Sequence, residues 1–536
     1  MPMKKKPTSK TLMAEAVRHS YHLGQEDESL EPLVLVDATG KPIGRMRDGD
    51  YVIFYNIRGE REVELTKSLV KKGFADFPTE QNVHVHMATM IPYDEDLVTQ
   101  VAFPPIQRIE DTLSEVVSRH GFKQVKIVES EKAVHVTYYL NGKINVPFAG
   151  EKRIIIPSPK ISGDYDQIPE MNIAQVCWKT IEKINDSRYD LVVANFCNAD
   201  VVGHVENVAA IKRAVEAVDT QMGLAVEAAK KVGMTTLITA DHGTVEKWYY
   251  PDGAIDTGHT NSPVPFILVD PQIPTGVRVT LRQDGSLTDV APTALEIMGL
   301  PQPKTMTGTS LLGDHFGDQQ EERRRLFLLI LDGWGIAPHG ETNLISQANT
   351  PNMDRLLATC PNTTLKASGE AVGLPKGKVG NSEAGHLHIG AGRTILSDRA
   401  RIDQAIEDGS FSQNEAFLWA MDGAKRDGTD LHLLGIVSFY SSHGTIQHLF
   451  ALMDLAKRRG IEELYIHSIL GRRGEQPESG AIYIEKVEEK AQQLSLGQVV
   501  SVIGRFWALD REENWDRVEK CYRQLVYGEG KAVKVS

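Results

Sequence analysis

The sequence predicts an α/β fold built on largely parallel sheets. Three observations predict it. Short apolar runs alternate with longer amphipathic stretches along almost the whole chain. Several of those runs end in an acidic residue followed by turn chemistry, as strands do at the functional edge of an open sheet. The length of 536 residues, at roughly 150 residues per domain, allows two or three domains with sizeable cores.

In chain order, AEAVRHSYHLG reads as a helix near the start, and YVIFYNI at 51–57 as the first clear strand. LVVANF at 191–196 and TTLITA at 235–240 are further strands, separated by the long helical pattern VAAIKRAVEAVDTQMGLAVEAAKKVG. RLFLLIL at 325–331 and LHLLGIV at 431–437 follow, then the helix-like HLFALMDLAKRRG. LYIHSIL at 464–470 and VVSVIG at 499–504 complete the set. This strand–helix alternation points to sheets whose strands run largely parallel. The stretch GDHFGDQQEERRR at 313–325 is polar, charged and glycine-containing. It reads as a linker or surface loop, although QQEERRR also suits an ordinary helix start. No fixed-period repeat is present.

Composition narrows the function classes. Hydrophobic residues make up 41% and charged residues 24%, which fits a globular chain and excludes disorder or a coiled coil as a whole-chain reading. Asp and Glu outnumber Lys and Arg by 72 to 59, a net charge of −13. That balance argues against a nucleic-acid partner, while leaving room for a local basic pocket. Cys177, Cys197, Cys360 and Cys521 are scattered, so neither a disulfide framework nor a cysteine zinc site is expected. No apolar run approaches the ~18 residues of a membrane span. The basic start MPMKKKPTSK is not followed by a signal-peptide core. A soluble, cytoplasmic protein with no membrane partner is expected.

The chemistry concentrates at strand ends. LFLLIL runs into Asp332 of DGWG, TTLITA into Asp241-His242-Gly243, and LVVANF into CNAD, where Asp200 stands four residues before His204. That spacing puts Asp200 and His204 on one helical face. His259 lies just before another apolar run, in DTGHTNSPVPFILVD. A single aspartate after a strand is ordinarily a helix cap, and a lone histidine is ordinarily structural. Together, Asp332, Asp241, His242, Asp200, His204 and His259 supply enough nitrogen and oxygen ligands for two divalent cations, with manganese, zinc and magnesium left open. The glycine-dense stretch LPKGKVGNSEAGHLHIGAGR carries Ser382. It is either a loop with a capping serine or a phosphate-approaching turn that exposes a nucleophile. A basic set completes the picture: Arg58 and Arg61, Arg505 and Arg511, and Arg472 and Arg473 near strand ends, with Lys132 after KIVESE. Such cations are either solvated surface charge or grips for a small phosphate or carboxylate.

DGWG, GNSEAGH with IGAGR, DVVGH, TADHG and HTNSPVPFI resemble the signature stretches of cofactor-independent phosphoglycerate mutases, members of the alkaline phosphatase superfamily. The resemblance continues through EPLVLVDATGKPIGRMRDGDYVIFYNIRGER, VAFPP, ESEKAVHVTYYLNG, SPKISGDYDQIPEM and GRFWALDRE, and so covers nearly the whole chain. It implies two domains: an alkaline-phosphatase-like metal domain and a smaller α/β phosphotransferase domain. The motif order differs from the family's. The DGWG strand, which opens the family sequence, here follows the late metal motifs, as in a circular permutation. The implied division is a phosphotransferase domain of 1–107 and 397–536 and a metal domain of 108–396, whose halves the 313–325 stretch would join. A second departure lies near the substrate. FYSSHGT stands where the family carries DGGVHSH, keeping His443, and GRRG stands for DGRD, keeping Arg473 but replacing the next aspartate with Gly474.

The resemblance further implies that Asp332, Ser382, Asp241 and His242 hold one metal and Asp200, His204 and His259 the other. The metal is manganese first, with magnesium, zinc or cobalt as alternatives. Ser382 would be the nucleophile, forming a phosphoserine with 3-phosphoglycerate and returning the phosphoryl group to give 2-phosphoglycerate, without added 2,3-bisphosphoglycerate. His443, Arg473, Arg505, Arg511, Arg58, Arg61 and Lys132 would hold the substrate, and domain closure would exclude water. A monomer acting on a small phosphorylated acid is expected. A related mutase or phosphatase acting on another phosphorylated or phosphonylated acid is the alternative enzyme reading. A binding or regulatory protein is the non-enzyme alternative.

Overall fold

The computed structural model describes residues 11–80, 83–106, 108–160, 165–250, 253–273, 279–313, 324–439, 441–471, 476 and 478–535. The chain forms two units, one of Met1–Pro105 with Arg401–Ser536 and the other of Ile106–Ala400. Each is built on an eight-stranded, mainly parallel sheet.

In the Ile106–Ala400 unit the strand order is Gly285–Ser286, Asn362–Lys366, Val264–Val269, Thr235–Thr239, Leu326–Leu331, Leu191–Phe196, Gln124–Glu129, Glu151–Ile156. The central strand Leu326–Leu331 is buried along its whole length, as its unbroken apolar run requires. It pairs in parallel with Leu191–Phe196 on one side and Thr235–Thr239 on the other. Ile330 is in register with Thr239, so Asp332 and Asp241 leave the sheet at the same level. Val264–Val269 runs antiparallel to Thr235–Thr239, so the residues that precede it arrive at that same edge. This is how the topology gathers His259 with the two aspartates.

Two helices of this unit begin on asparagine caps. Val208–Lys231 is capped by Asn207, whose side chain accepts from Ala210 N at 3.1 Å, and it packs its apolar face on the core. Ser382–Ala391 starts from Asn381, which accepts from Ala384 N at 2.8 Å, and ends at Gly392 in the left-handed region with φ 61°. This second helix lies close to its neighbours. A Cβ on Gly385 would fall 2.4 Å from Asp241 O, so only glycine lets the helix carrying Ser382 approach Asp241 so closely.

In the other unit the order is Lys531–Lys534, Leu33–Val36, Gln498–Gly504, Leu464–Leu470, Leu431–Ile436, Tyr51–Phe54, His86–Thr89, Gln100–Val101. All neighbours are parallel except Leu33–Val36 with Gln498–Gly504. Leu431 stands opposite Tyr51, so segments from both ends of the chain close one sheet.

The apolar runs at 191–196 and 464–470 form strands over those residues. The run at 51–57 stops at Phe54, because Asn56 is buried with its side chain accepting from Ile436 N at 2.8 Å. Of the 313–325 stretch, 314–323 lie outside the described residues. Arg324 and Arg325 are not solvated linker. Arg324 Nη1 lies 3.0 Å from Asp270 Oδ2, and Arg325 Nε donates to Tyr189 O at 2.8 Å. Among the described residues no helix is long and apolar enough to cross a membrane, and all four cysteines are free thiols.

Candidate active site

The C-terminal edge of the Ile106–Ala400 sheet holds a cluster of buried carboxylates with imidazoles that range from buried His242 to exposed His204. Asp200 sits in the short helix Asn198–Gly203, and His204 caps that helix, its Nε2 3.5 Å from Asp200 Oδ1. His259 Nε2 approaches the same Asp200 oxygen at 3.2 Å, while its Nδ1 lies 3.0 Å from the Gly380 carbonyl. His242 Nε2 is 3.3 Å from Asp241 Oδ2 and 3.6 Å from both Asp200 Oδ1 and Asp332 Oδ1. Ser382 Oγ lies 2.9 Å from His242 Nε2. The ligand atoms fall into overlapping sets, Asp200 with His204 and His259, and Asp200 with His242 and Asp332.

Lys132 stands in the middle. Its Nζ lies 2.7 Å from Asp332 Oδ1, 2.7 Å from Asp200 Oδ2 and 2.5 Å from Ser382 Oγ. The expected substrate-binding lysine is thus in the same centre as the expected metal ligands, on the turn after the strand Gln124–Glu129.

The electrostatics follow from burial and crowding. Burial disfavours the Lys132 ammonium, but Asp332, Asp200 and Asp241 outweigh it and hold the lysine far above its ordinary value. Burial also opposes the Asp200 charge, yet Lys132 and His242 keep that carboxyl well below the usual range. Asp332 goes the other way: burial, and then the neighbouring Asp241, raise it. His204 is raised, chiefly by its contact with Asp200.

Sequence reasoning missed several members. His386 Nδ1 lies 2.9 Å from Ser382 O and 3.3 Å from Asp241 Oδ2, making a further set of Asp241, Asp332 and His386. Asn195 Nδ2 donates to Asp332 Oδ2 at 2.8 Å and lies 3.0 Å from His386 Nε2. Thr244 Oγ1 donates to Asp200 Oδ1 at 3.1 Å. The available signal for His386 was its i, i+4 spacing from Ser382, the spacing that links Asp200 and His204.

The donor set fits divalent cations. Three buried carboxylates, Asp200, Asp241 and Asp332, share one ammonium, that of Lys132. Asp241 Oδ2, fully buried, takes no well-formed hydrogen bond. Oxygen and imidazole donors at such a spot suit manganese, magnesium, zinc or cobalt.

The remaining predicted residues lie in the other unit. His443 is buried, and its Nδ1 donates to Glu62 Oε1 at 2.8 Å. Glu62 also accepts from Asn56 Nδ2 at 2.8 Å and Arg61 N at 3.2 Å. Arg58 and Arg511 converge on Glu60, at 3.3 and 3.1 Å, and remain substantially exposed. Arg61 Nη1 donates to Leu509 O at 3.2 Å. Arg505 begins a short helix at the end of Gln498–Gly504, with Nε 3.6 Å from Glu28 Oε1. Arg58, Arg505 and His443 all follow the C-terminal ends of parallel strands in this sheet. Arg473, with Arg472 and Gly474, lies outside the described residues.

A carboxylate–imidazole centre beside a helix-borne serine, at the carboxyl edge of a parallel sheet, is the make-up of a metalloenzyme. The chain belongs to the Metalloenzyme superfamily, whose family profile matches residues 22–302. A second profile, described as the N-terminus of BPG-independent PGAM, matches residues 402–536. Similar proteins named 2,3-bisphosphoglycerate-independent phosphoglycerate mutase occur in Thermosynechococcus vestitus, at 43% identity over 302 residues (56% of this chain, 55% of that protein). One in Methanococcoides burtonii is 41% identical over 302 residues (56% and 57%), and one in Moorella thermoacetica 51% over 207 residues (39% and 40%). The matched region spans about half the length of these relatives. A solved Leishmania mexicana phosphoglycerate mutase, crystallised at low cobalt concentration, is 28% identical and covers 52% of this chain and 53% of its own, with a TM-score of 0.37.

Proposed function

We propose that the protein interconverts 3-phosphoglycerate and 2-phosphoglycerate by intramolecular phosphoryl transfer through Ser382, without 2,3-bisphosphoglycerate. The observation that carries this reading is the Ser382 hydroxyl, 2.5 Å from Lys132 Nζ and 2.9 Å from His242 Nε2, at the edge of the Asp200–Asp241–Asp332 cluster. The relatives' names support it.

In this reading Asp332, Ser382, Asp241 and His242 hold one divalent cation and Asp200, His204 and His259 the other, with manganese the first choice. Divalent cations held there would supply charge neutralisation for a transferring phosphoryl group and would lower the proton affinity of the serine hydroxyl. Ser382 Oγ would attack the substrate phosphorus in line as the bond to the glycerate 3-oxygen breaks, the proton lost from the serine hydroxyl being matched by one taken up at that 3-oxygen. Lys132 donates to Ser382 Oγ and supports its negative charge. The glycerate stays bound, and its 2-hydroxyl then takes the phosphoryl group back from the serine. With its Nδ1 held by Glu62 at 2.8 Å, His443 would in this reading use Nε2 to exchange a proton with a glycerate oxygen. Arg58, Arg61, Arg505, Arg511 and Arg473 hold phosphate and carboxylate. All these residues belong to one chain, and the reading has it act as a monomer in the cytoplasm.

The same reading includes a permuted order of parts, with domains of 1–107 and 397–536 against 108–396. Its support is that the profile described as an N-terminus matches 402–536, downstream of the match at 22–302. A second reading keeps the chemistry and changes the substrate to another phosphorylated or phosphonylated small acid. Gly474 and FYSSHGT favour it, because they remove polar groups at positions where the resemblance puts substrate contacts.

The test is conversion of 3-phosphoglycerate by metal-loaded protein without bisphosphoglycerate, with phosphate release followed alongside. Isomer formation is expected. No conversion would refute the main reading, and release of phosphate in place of isomer would identify a phosphatase.

A further inference from the structure

Glu246 is not itself an expected metal ligand, yet its two threonine partners adjoin three of them, Asp200, His242 and His259. It is fully buried. Its Oε2 accepts from Thr244 N at 2.9 Å, and its Oε1 accepts from Thr260 Oγ1 in a short contact. Thr244 in turn reaches both ligand sets, with Oγ1 donating to Asp200 Oδ1 at 3.1 Å and lying 3.3 Å from His242 Nδ1. Thr260 follows His259. Its N donates to Gly243 O at 2.9 Å, and its carbonyl accepts from Gly380 N at 3.3 Å. Gly380 O then lies 3.0 Å from His259 Nδ1. The turn after Asp332 is engaged as well. A Cβ on Gly335 would fall 2.2 Å from Glu246 Cδ, and one on Gly243 would fall 2.5 Å from Oε1. The carboxylate therefore fills the space between the 243–246 turn, the 259–260 segment and the DGWG turn.

Burying a carboxylate is costly unless its lone pairs are met, and apolar packing would fill the same space more cheaply. An ionised carboxylate offers what an apolar side chain lacks, two acceptor oxygens that tie donors from separate loops. The geometry points to Glu246 as a positioning residue that sets the spacing of the Asp200–His204–His259 and Asp200–His242–Asp332 ligand sets through Thr244 and Thr260. This rests on reading the cluster as a metal centre. Groups that orient ligands in this way typically govern about 10- to 100-fold in metal affinity.

The test compares wild type with Glu246→Gln, Thr260→Val and Thr260→Ser. Mn2+ binding is followed by calorimetry, and kcat and KM are measured with 3-phosphoglycerate. Glu246→Gln and Thr260→Val are expected to weaken Mn2+ binding about 10- to 100-fold and to lower kcat while KM stays within about 2-fold. Thr260→Ser, which restores the hydroxyl, is expected to recover both. Mn2+ affinity within about 2-fold of wild type in Thr260→Val and in folded Glu246→Gln would overturn the assignment. Should Glu246→Gln fail to fold, the Thr260 pair decides it. Wild type that binds Mn2+ but leaves 3-phosphoglycerate unconverted would refute the proposed function, and the affinity comparison would still decide the role of Glu246.

Discussion

Lys132 Nζ lies 2.5 Å from Ser382 Oγ, joining a buried cation to the candidate nucleophile. The ammonium also neutralises part of the charge of Asp200 and Asp332. Removing the serine and removing the lysine therefore have different expected effects.

Ser382→Ala deletes the oxygen that would carry the phosphoryl group and leaves the carboxylates and imidazoles in place. Isomerisation is expected to fall by at least about 10³-fold even at Mn2+ concentrations that keep the site loaded. Metal analysis alongside the kinetic assay checks both. Retained turnover would sink the phosphoserine route.

Lys132→Met strips the ammonium from a buried cluster of three carboxylates. Breaking a buried pair typically costs about 3–5 kcal/mol, because the partner charges remain uncompensated. The variant is expected to melt well below wild type in EDTA and to regain most of the difference with saturating Mn2+, since a cation binding only the folded form stabilises it. Equal melting temperatures in EDTA would show that Lys132 does not carry the charge balance.

Glu62→Gln tests the histidine in the other unit. The carboxylate can only accept, so it fixes Nδ1 of His443 as the protonated nitrogen. An amide at the same place loses that constraint. A fall of about 10- to 100-fold in kcat is expected with little change in KM, together with a shifted pH–rate profile. An unchanged profile would remove His443 from proton transfer.

Much of the candidate site was legible because its residues sit where strand runs end in turn chemistry. Asp332, Asp241 and Asp200 each follow a short, mostly apolar run, and the parallel pairing of those strands brings them to one edge. What the sequence hid was direction. Asn195 lies inside the run LVVANF, and only the fold shows its side chain donating to Asp332 rather than lost in the core. Lys132 read as one more cation beside the arginines, because charge is visible in a sequence and the group it faces is not. The convergence of Arg58 and Arg511 on Glu60 was hidden for another reason: the two arginines lie near opposite ends of the chain, and the sheet that unites them pairs Leu431 with Tyr51.

The last prediction concerns stability. Glu488 lies on the helix Gly480–Leu494 and accepts from Met13 N at 2.9 Å and Ala14 N at 3.2 Å, capping the first turn of the helix Leu12–His22. Burial pushes its carboxyl up to about 7, and the two backbone donors offset only part of the shift. The ordinary glutamate value is near 4.5. Between 4.5 and about 7 the folded protein therefore holds a proton that the unfolded chain has released. The corresponding stability is fully present below 4.5 and is lost as pH rises toward 7, after which the curve levels. Glu488→Gln keeps an acceptor for the helix N-terminus and cannot ionise. Its melting temperature relative to wild type is expected to climb from pH 5 to pH 7 and then hold constant. A difference independent of pH would mean that Glu488 ionises in the folded protein as it does in water.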